Sequence, residues 1–288
     1  MTVGRRLEAF LLAPLTLLLV GTVVVPALIL FAYSLVAWVA MSPTGQLTLA
    51  NYLQTVSDPL YGALVANTVL IAAPTTVLSV ISGYVLAYYV IFVQRRGQSL
   101  TFALIVSALM ASYLVRIFAW RTLLGSSGVV NTLLMDVGLV REPLTFLLYS
   151  KTAAVLAEVS LFMPLAALTF YAALSGISGD YREASRDLGA GSAQTLWRVT
   201  LPLSGPSVLA TVALLFFLSA GDYVTPVLVG GINTSTLGTA IATAMGPAGD
   251  YGQGSALSFI LVAGFVVFYA VVWGLMRSTG LLPRGATE

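Results

Sequence analysis

The 288-residue chain contains no cysteine and no histidine. The first absence removes disulfides, thiolate nucleophiles and thiol metal ligands. The second removes the commonest general base and the commonest metal ligand, so no metal site is expected. Lysine occurs once, at Lys151, directly after Ser150, so no GxxxxGK[ST] loop for cradling phosphate exists. Whatever drives this protein, it does not hold ATP in a P-loop of its own. Charge is scarce as well. Asp, Glu, Lys and Arg together make up 8% of the chain, against about a quarter in a soluble domain. The net charge of +2 is too small to mark a nucleic-acid surface.

What is present is apolar. Hydrophobic residues are 58% of the chain and the mean hydropathy is +0.96. Too little polar surface remains to cover a water-soluble globule, so the solvent must be lipid. A helix that crosses a bilayer needs roughly 20 mostly apolar residues. Apolar runs of that kind predict six spans, at about residues 10–39, 61–93, 97–115, 152–173, 203–221 and 255–276. Arg5, Arg6 and the apolar run behind them also fit a secretory signal. However, the run far exceeds the usual h-region of about 7–15 residues, and five more spans follow. An uncleaved first helix is the expectation, within one membrane domain covering residues 1–288.

Orientation follows the arginines. With the N-terminus in the cytoplasm, nine of the thirteen basic residues fall inside: Arg5, Arg6, Arg95, Arg96, Arg182, Arg186, Arg198, Arg277 and Arg284. Arg116, Arg121, Arg141 and Lys151 fall outside or at the outer interface. Both termini are therefore expected in the cytoplasm. Outside, ANYLQTV allows a short helix, and GGINTSTLGTAIATAMGPAGDYGQG reads as loops with one short interfacial helix.

The one concentrated patch of charge is the inner loop GDYREASRDLGAGSAQTLWRVTLP, which carries six charged residues. It divides at Gly189-Ala190-Gly191. Asp180 to Leu188 suits a short polar helix with its acids early, as the helix dipole favours. Ser192 is a plausible N-cap for a second helix to Thr200. Leu201-Pro202 is expected to end that helix and turn the chain into the fifth span. Over residues 178–202 the expectation is thus a compact knob, able to transmit force.

Glu183-Ala184-Ser185, three residues, Gly189, nine residues and Val199-Thr200-Leu201-Pro202 resemble the EAA loop of importer permeases. These are the membrane subunits of binding-protein-dependent ATP-binding-cassette (ABC) systems. Ser185 replaces the family's Ala and Val199 its Ile, while the spacing is unchanged. The segments NYLQTVSDPLYGALVANTVLIAAPTT, SYLVRIFAWRTLLGSSGVVNTLL and DYVTPVLVGG are similar to the spermidine/putrescine branch. Related permeases there carry iron, opines or other small solutes. The resemblance implies an all-α, six-span permease of the type I importer fold in a bacterial inner membrane, forming half of a solute path. Its implied partners are a homologous second permease or a second copy, two ABC ATPase subunits, and a periplasmic or lipid-anchored solute-binding protein. No cofactor is implied for this chain; ATP and Mg would be used by the ATPase. Glu183, Ala184, Ser185, Gly189, Val199, Leu201 and Pro202 would couple the permease to that ATPase.

Ionisable groups inside membranes are candidate functional residues. A polyamine path would use carboxylates against ammonium groups and aromatic faces for cation–π contact. The candidates are Glu158, Asp222, Tyr223, Trp120 and Tyr113. Glu158 can equally serve as a structural partner of Arg116 or of Lys151, seven residues before it, and the aromatics as an interfacial belt. A self-contained secondary transporter would need its own coupling-ion site and would leave the charged loop unexplained. A membrane enzyme would lack a metal cluster, a His-based triad and paired carboxylates.

Overall fold

The computed structural model describes residues 13–14, 16–39 and 41–282. Arg5, Arg6, Arg284 and the first residues of the expected opening span lie outside them. In chain order the elements are α1 (Thr16–Ser34), strands β1 (Val36–Val39) and β2 (Ser42–Leu47), α2 (Ala50–Ser57) and α3 (Pro59–Phe92). Then come α4 (Gln98–Met110), α5 (Tyr113–Leu124), α6 (Val129–Asp136), α7 (Lys151–Ser175) and α8 (Gly179–Asp187). The chain continues through α9 (Ser192–Leu203), α10 (Gly205–Ala220), α11 (Leu237–Met245) and α12 (Tyr251–Ser278).

Four of these helices, α1, α3, α7 and α12, are each long and apolar enough to cross a membrane. Two further pairs qualify only when joined across a bend. One is α4 with Tyr113–Asp136, bent by 89°; the other is α9 with α10, bent by 71°. The third and fifth expected spans therefore fall on bent helix pairs, each a broken span or a re-entrant loop. The expected run over 97–115 stops at Met110, and Tyr113 opens a new helix. The bend after Pro202 falls at Ser204, so the proline lies within the last turn of α9 and does not end it.

By contacts the chain forms two compact units. The first runs to Gly62 and takes in Ala240–Val262. Here the expected span over 10–39 ends early, because Val36–Val39 leaves the helix and pairs antiparallel with Ser42–Leu47. An all-helical reading misses this hairpin. The end of α1 is satisfied from α2: the Asn51 amide donates to the Ser34 and Val36 carbonyls at 2.9 and 3.1 Å. Trp38 packs edge-on against Tyr33 and tilted against Tyr251, with centroids 5.2 Å apart in both pairs.

The second unit comprises Ala63–Thr239 and the chain from Ala263 on. Lipid tails are as apolar as leucine, so helices associate in membranes by close packing more than by water exclusion. Helices α3 and α7 meet at small residues. A Cβ on Gly83 would lie 2.5 Å from the Ala166 Cβ and 2.8 Å from the Ala167 nitrogen. Around this crossing Tyr84, Ala87, Phe170, Leu174 and Leu215 form a buried cluster. A second cluster joins Ile117 and Leu124 of α5 to Ala153, Ala157 and Leu161 of α7. Phe216 of α10 stacks on Phe268 of α12, with centroids 3.6 Å apart.

The helix-to-helix distance at Gly83 leaves no room for a methyl group. Gly83→Ala is expected to lower the unfolding free energy in detergent by about 1–3 kcal/mol through overpacking. Gly264→Ala, in mid-helix with nothing within 4 Å, should leave stability unchanged or raise it by up to about 1 kcal/mol. Parallel thermal or SDS titrations of the two variants check this.

Candidate functional site

The charged loop folds as two short helices, α8 and α9, joined by a tight turn. Ser178 caps α8, its hydroxyl accepting from the Asp180 amide at 3.3 Å. The other end closes on Gly189, whose φ of +80° lies in the left-handed region that glycine enters without strain. Gly189 N–H donates to the Arg186 carbonyl at 2.8 Å and Ala190 N–H to the Ser185 carbonyl at 3.0 Å. This pair of bonds is a Schellman closure, which satisfies carbonyls left over at a helix end.

Helix α9 departs from expectation at its start, because Gly191 holds the N-cap position and the Ser192 side chain makes no cap bond. Further on, residues Leu196–Thr200 widen into a π-turn. Pro202 has no N–H to give, and such a widening just before a proline relieves the clash of its ring with the preceding turn. The same device precedes Pro26, where Val20–Val24 is a π-turn.

The knob is fixed to the bundle by its apolar side. Leu196 and Leu201 pack against the cluster around Tyr84 and Phe170. The buried Tyr84 and Ser204 hydroxyls share a hydrogen bond of 3.0 Å, tying α3 to the bend between α9 and α10. Ser185, one of the two departures from the family pattern, has its hydroxyl 3.0 Å from that of Thr195 and so joins α8 to α9. Glu183, Ala184 and Gly189 are exposed, whereas Val199, Leu201 and Pro202 are half-buried. Between the two helices lies a cleft of about 470 Å³ lined by Tyr181, Ala184, Leu188, Gln194, Arg198 and Val199 among others.

The polar candidates within the bundle fall into three groups. Tyr113 and Asp222 come together: the tyrosine hydroxyl donates to Asp222 Oδ1 at 2.7 Å. Asp222 Oδ1 also accepts from the Val224 and Thr225 amides at 2.8 and 3.2 Å, and Oδ2 accepts from Thr225 Oγ1 at 2.5 Å. Both carboxylate oxygens are thus engaged in opening the turn that leads into Pro226–Gly230. Tyr223, beside it, is 51% exposed and faces outward.

Trp120 and Arg116, one turn apart on α5, dock on Ser160 of α7. The indole N–H donates to Ser160 Oγ at 2.7 Å and the guanidinium to the Ser160 carbonyl at 3.2 Å. The reason lies four residues on, at Pro164. A proline inside a helix cannot donate to the carbonyl four positions earlier, so Arg116 supplies the missing bond. The same guanidinium reaches the Ala111 carbonyl at 3.0 Å, at the break between α4 and α5.

Glu158 is completely buried on α7. Its Oε2 accepts from Ser219 Oγ of α10, while Oε1 has no hydrogen-bond partner. The structural partner is therefore a serine; the guanidinium of Arg116 is committed to carbonyls. Thr75, Thr76 and Ser79 of α3 are likewise buried with unpartnered hydroxyls.

A family model described as binding-protein-dependent transport system inner membrane component matches residues 64–278, which contain all these groups. The chain belongs to that family. It is a helical permease of the inner membrane, and its family is one of transport components. Among curated relatives, the spermidine/putrescine permease PotB of Haemophilus influenzae is 28% identical over 83% of this chain and 82% of its own. PotB of Escherichia coli K12 is 25% identical over 80% and 83%. A putative 2-aminoethylphosphonate permease, PhnU of Salmonella typhimurium, is 26% identical over 77% and 79%. In fold, the chain is similar to a bacterial alginate ABC importer with a TM-score of 0.72 at 18% identity, over 94% of this chain and 95% of that one. The inward-facing methionine transporter MetNI gives a TM-score of 0.51 at 16% identity, over 78% of this chain and 97% of that one.

Within this permease, sequence reasoning passed over Ser160, Ser204 and Ser219, although each organises a candidate residue or a bend. Only Ser160 carried a signal, its place four residues before a proline. Two variants separate architecture from surface. Arg116→Leu leaves the part-buried Ser160 carbonyl without its donor and should cost about 1–3 kcal/mol of stability, with little added by the exposed bond to Ala111. Asp222→Ala should likewise lower stability by about 2–4 kcal/mol, whereas exposed Tyr223→Ala should stay within about 0.5 kcal/mol. Unfolding midpoints of purified protein measure all three.

Proposed function

We propose that this chain is the half-path subunit of an ATP-driven importer whose solute is a polyamine of the spermidine or putrescine kind. The observation that carries the reading is the charged loop. In a chain of this family, the motif Glu183-Ala184-Ser185, Gly189, Val199, Leu201-Pro202 falls on a closed two-helix knob packed against α3 and α10. Its exposed face, including Glu183 and Ala184, is the surface offered to an ATPase. The arginine distribution supports both termini and this knob in the cytoplasm, a topology that the helices allow when each bent pair is counted as one span. The second half of the path is a homologous permease or another copy of this chain. A pair of ATPase subunits binds ATP and Mg below, and a periplasmic or lipid-anchored receptor delivers solute above.

The names of the PotB relatives support the polyamine. The PhnU relative is named for another amine-bearing solute, so an ammonium group is the feature the named solutes share. On the permease, Tyr223 is the candidate positioned to meet such a group with an open aromatic face. Tyr113, Trp120, Asp222 and Glu158 shape the path from behind.

Reconstitution decides the reading. Vesicles holding this chain, its permease partner, the ATPase and the receptor should take up spermidine only with internal ATP. Uptake by this chain alone, driven by an ion gradient, would falsify it. Glu183→Lys reverses the charge on the exposed face of α8. It should reduce ATP-driven uptake at least about tenfold, the effect of roughly 1.4 kcal/mol lost at an interface, with membrane insertion unchanged.

A further inference from the structure

Helix α8 has nine residues, too few to persist without tertiary contacts. Among the described residues, two of its side chains make a hydrogen bond or a cation–π contact to another helix. Ser185 bonds to Thr195 of α9, as described. The other is Arg182, which reaches away from α9 to the end of α3. Its guanidinium carbon lies 3.8 Å from the ring centroid of Phe92 and 5.9 Å from that of Tyr88. The two rings are one turn apart and contact each other edge-to-face at 5.0 Å. Arg182 Nε is buried without a hydrogen-bond partner. The guanidinium thus sits over the Phe92 ring at cation–π distance. Phe92 is also the last residue of α3, where the helix dipole favours a positive charge.

The knob is joined to the bundle covalently at both ends, to α7 before α8 and to α10 through α9 and the bend at Ser204. Helix α9 and that bend also meet α3, through Leu196, Leu201 and the Tyr84–Ser204 bond. Arg182 adds a direct contact from α8 itself to α3. Helix α3 is the rod that crosses α7 at Gly83 and brings Thr75, Thr76 and Ser79 into the buried interior. Without Arg182, a push on α8 reaches α3 only by way of α9 and the bend.

Resting on the coupling role proposed above, we infer that Arg182 is a positioning residue that makes α3 follow the coupling helix, through its cation–π contact with Phe92 and Tyr88. The cation and the ring are the two necessary parts. A lysine at 182 or a tyrosine at 92 preserves the pair, whereas Arg182→Gln or Phe92→Leu breaks it.

The absence of native cysteine makes a solute-independent test clean. Spin labels are placed in pairs on exposed positions, Val85 of α3 with Leu156 of α7, and Leu214 of α10 with Leu156. Distances are read in the assembled complex with its ATPase, with and without ATP. The expected result is an ATP-dependent shift in both pairs of the parent. In Arg182→Gln and in Phe92→Leu the α3 shift is lost and the α10 shift is kept. Arg182→Lys and Phe92→Tyr should retain both shifts, and the double variant Arg182→Gln/Phe92→Leu should be no worse than either single. A full α3 shift in Arg182→Gln overturns the inference, as does a parent in which α10 moves and α3 does not. If Arg182→Gln fails to assemble, Phe92→Leu, which leaves the surface of α8 intact, decides in its place. Glu183→Lys in the same assay keeps the two readings apart. Loss of both shifts there supports coupling through the loop, and persistence of both removes the coupling role itself.

Discussion

Every backbone carbonyl freed inside this bundle has to find a donor within the protein, because lipid offers none. The bent spans are possible only under that condition. Pro164 frees the Ser160 carbonyl, the Ala111 carbonyl lies at the break after Met110, and a single guanidinium, Arg116, donates to both. A charged side chain is costly among apolar helices, yet here its donors match the acceptors that the bends create. Tyr84 and Ser204 perform a neutral version of the task at the other bend. The scarcity of charge in the chain and the position of the few charges within it thus have one cause.

The same condition separates rigid parts from parts that can move together. Where α3 and α7 cross at Gly83 and Ala166, close backbone approach gives dense dispersion contact with no flexible side chain between. Helix α10 is joined to the charged loop through a bend whose only breadth is Ser204. The loop is thus continuous with α10 through the bend and packed on α3 through Leu196 and Leu201. The closure at Gly189 and the Ser185–Thr195 bond make the loop as firm as the rods it serves.

Much of this was legible in the sequence because lipid imposes a simple rule of length and hydropathy. The runs read as 61–93, 152–173 and 255–276 correspond to helices Pro59–Phe92, Lys151–Ser175 and Tyr251–Ser278. The failures have a common source. Val36-Ala37-Trp38-Val39 continues an apolar run, and apolarity alone does not separate strand from helix. The break in Ala111-Ser112 has neither glycine nor proline to announce it; it is stabilised by Arg116, whose contact is tertiary. Ser192 suited an N-cap by type, but Gly191 took the position one residue earlier. The pairing of Tyr113 with Asp222 spans 109 residues, a distance over which local pattern carries no information.

Those long-range contacts also constrain how the interior can meet a cation. Asp222 already accepts four hydrogen bonds, two of them from backbone amides that start the following turn. An approaching ammonium would have to displace the Tyr113 or Thr225 hydroxyl, and displacing either loosens the turn leading to Pro226. Binding there and movement of the Val224–Gly230 segment would then be one event. Glu158 differs, since one oxygen lacks a partner but the whole side chain is sealed between helices. A solute could reach it only if α3 and α10 moved away from α7. Access to the buried acids is therefore governed by displacement of the helices that enclose them.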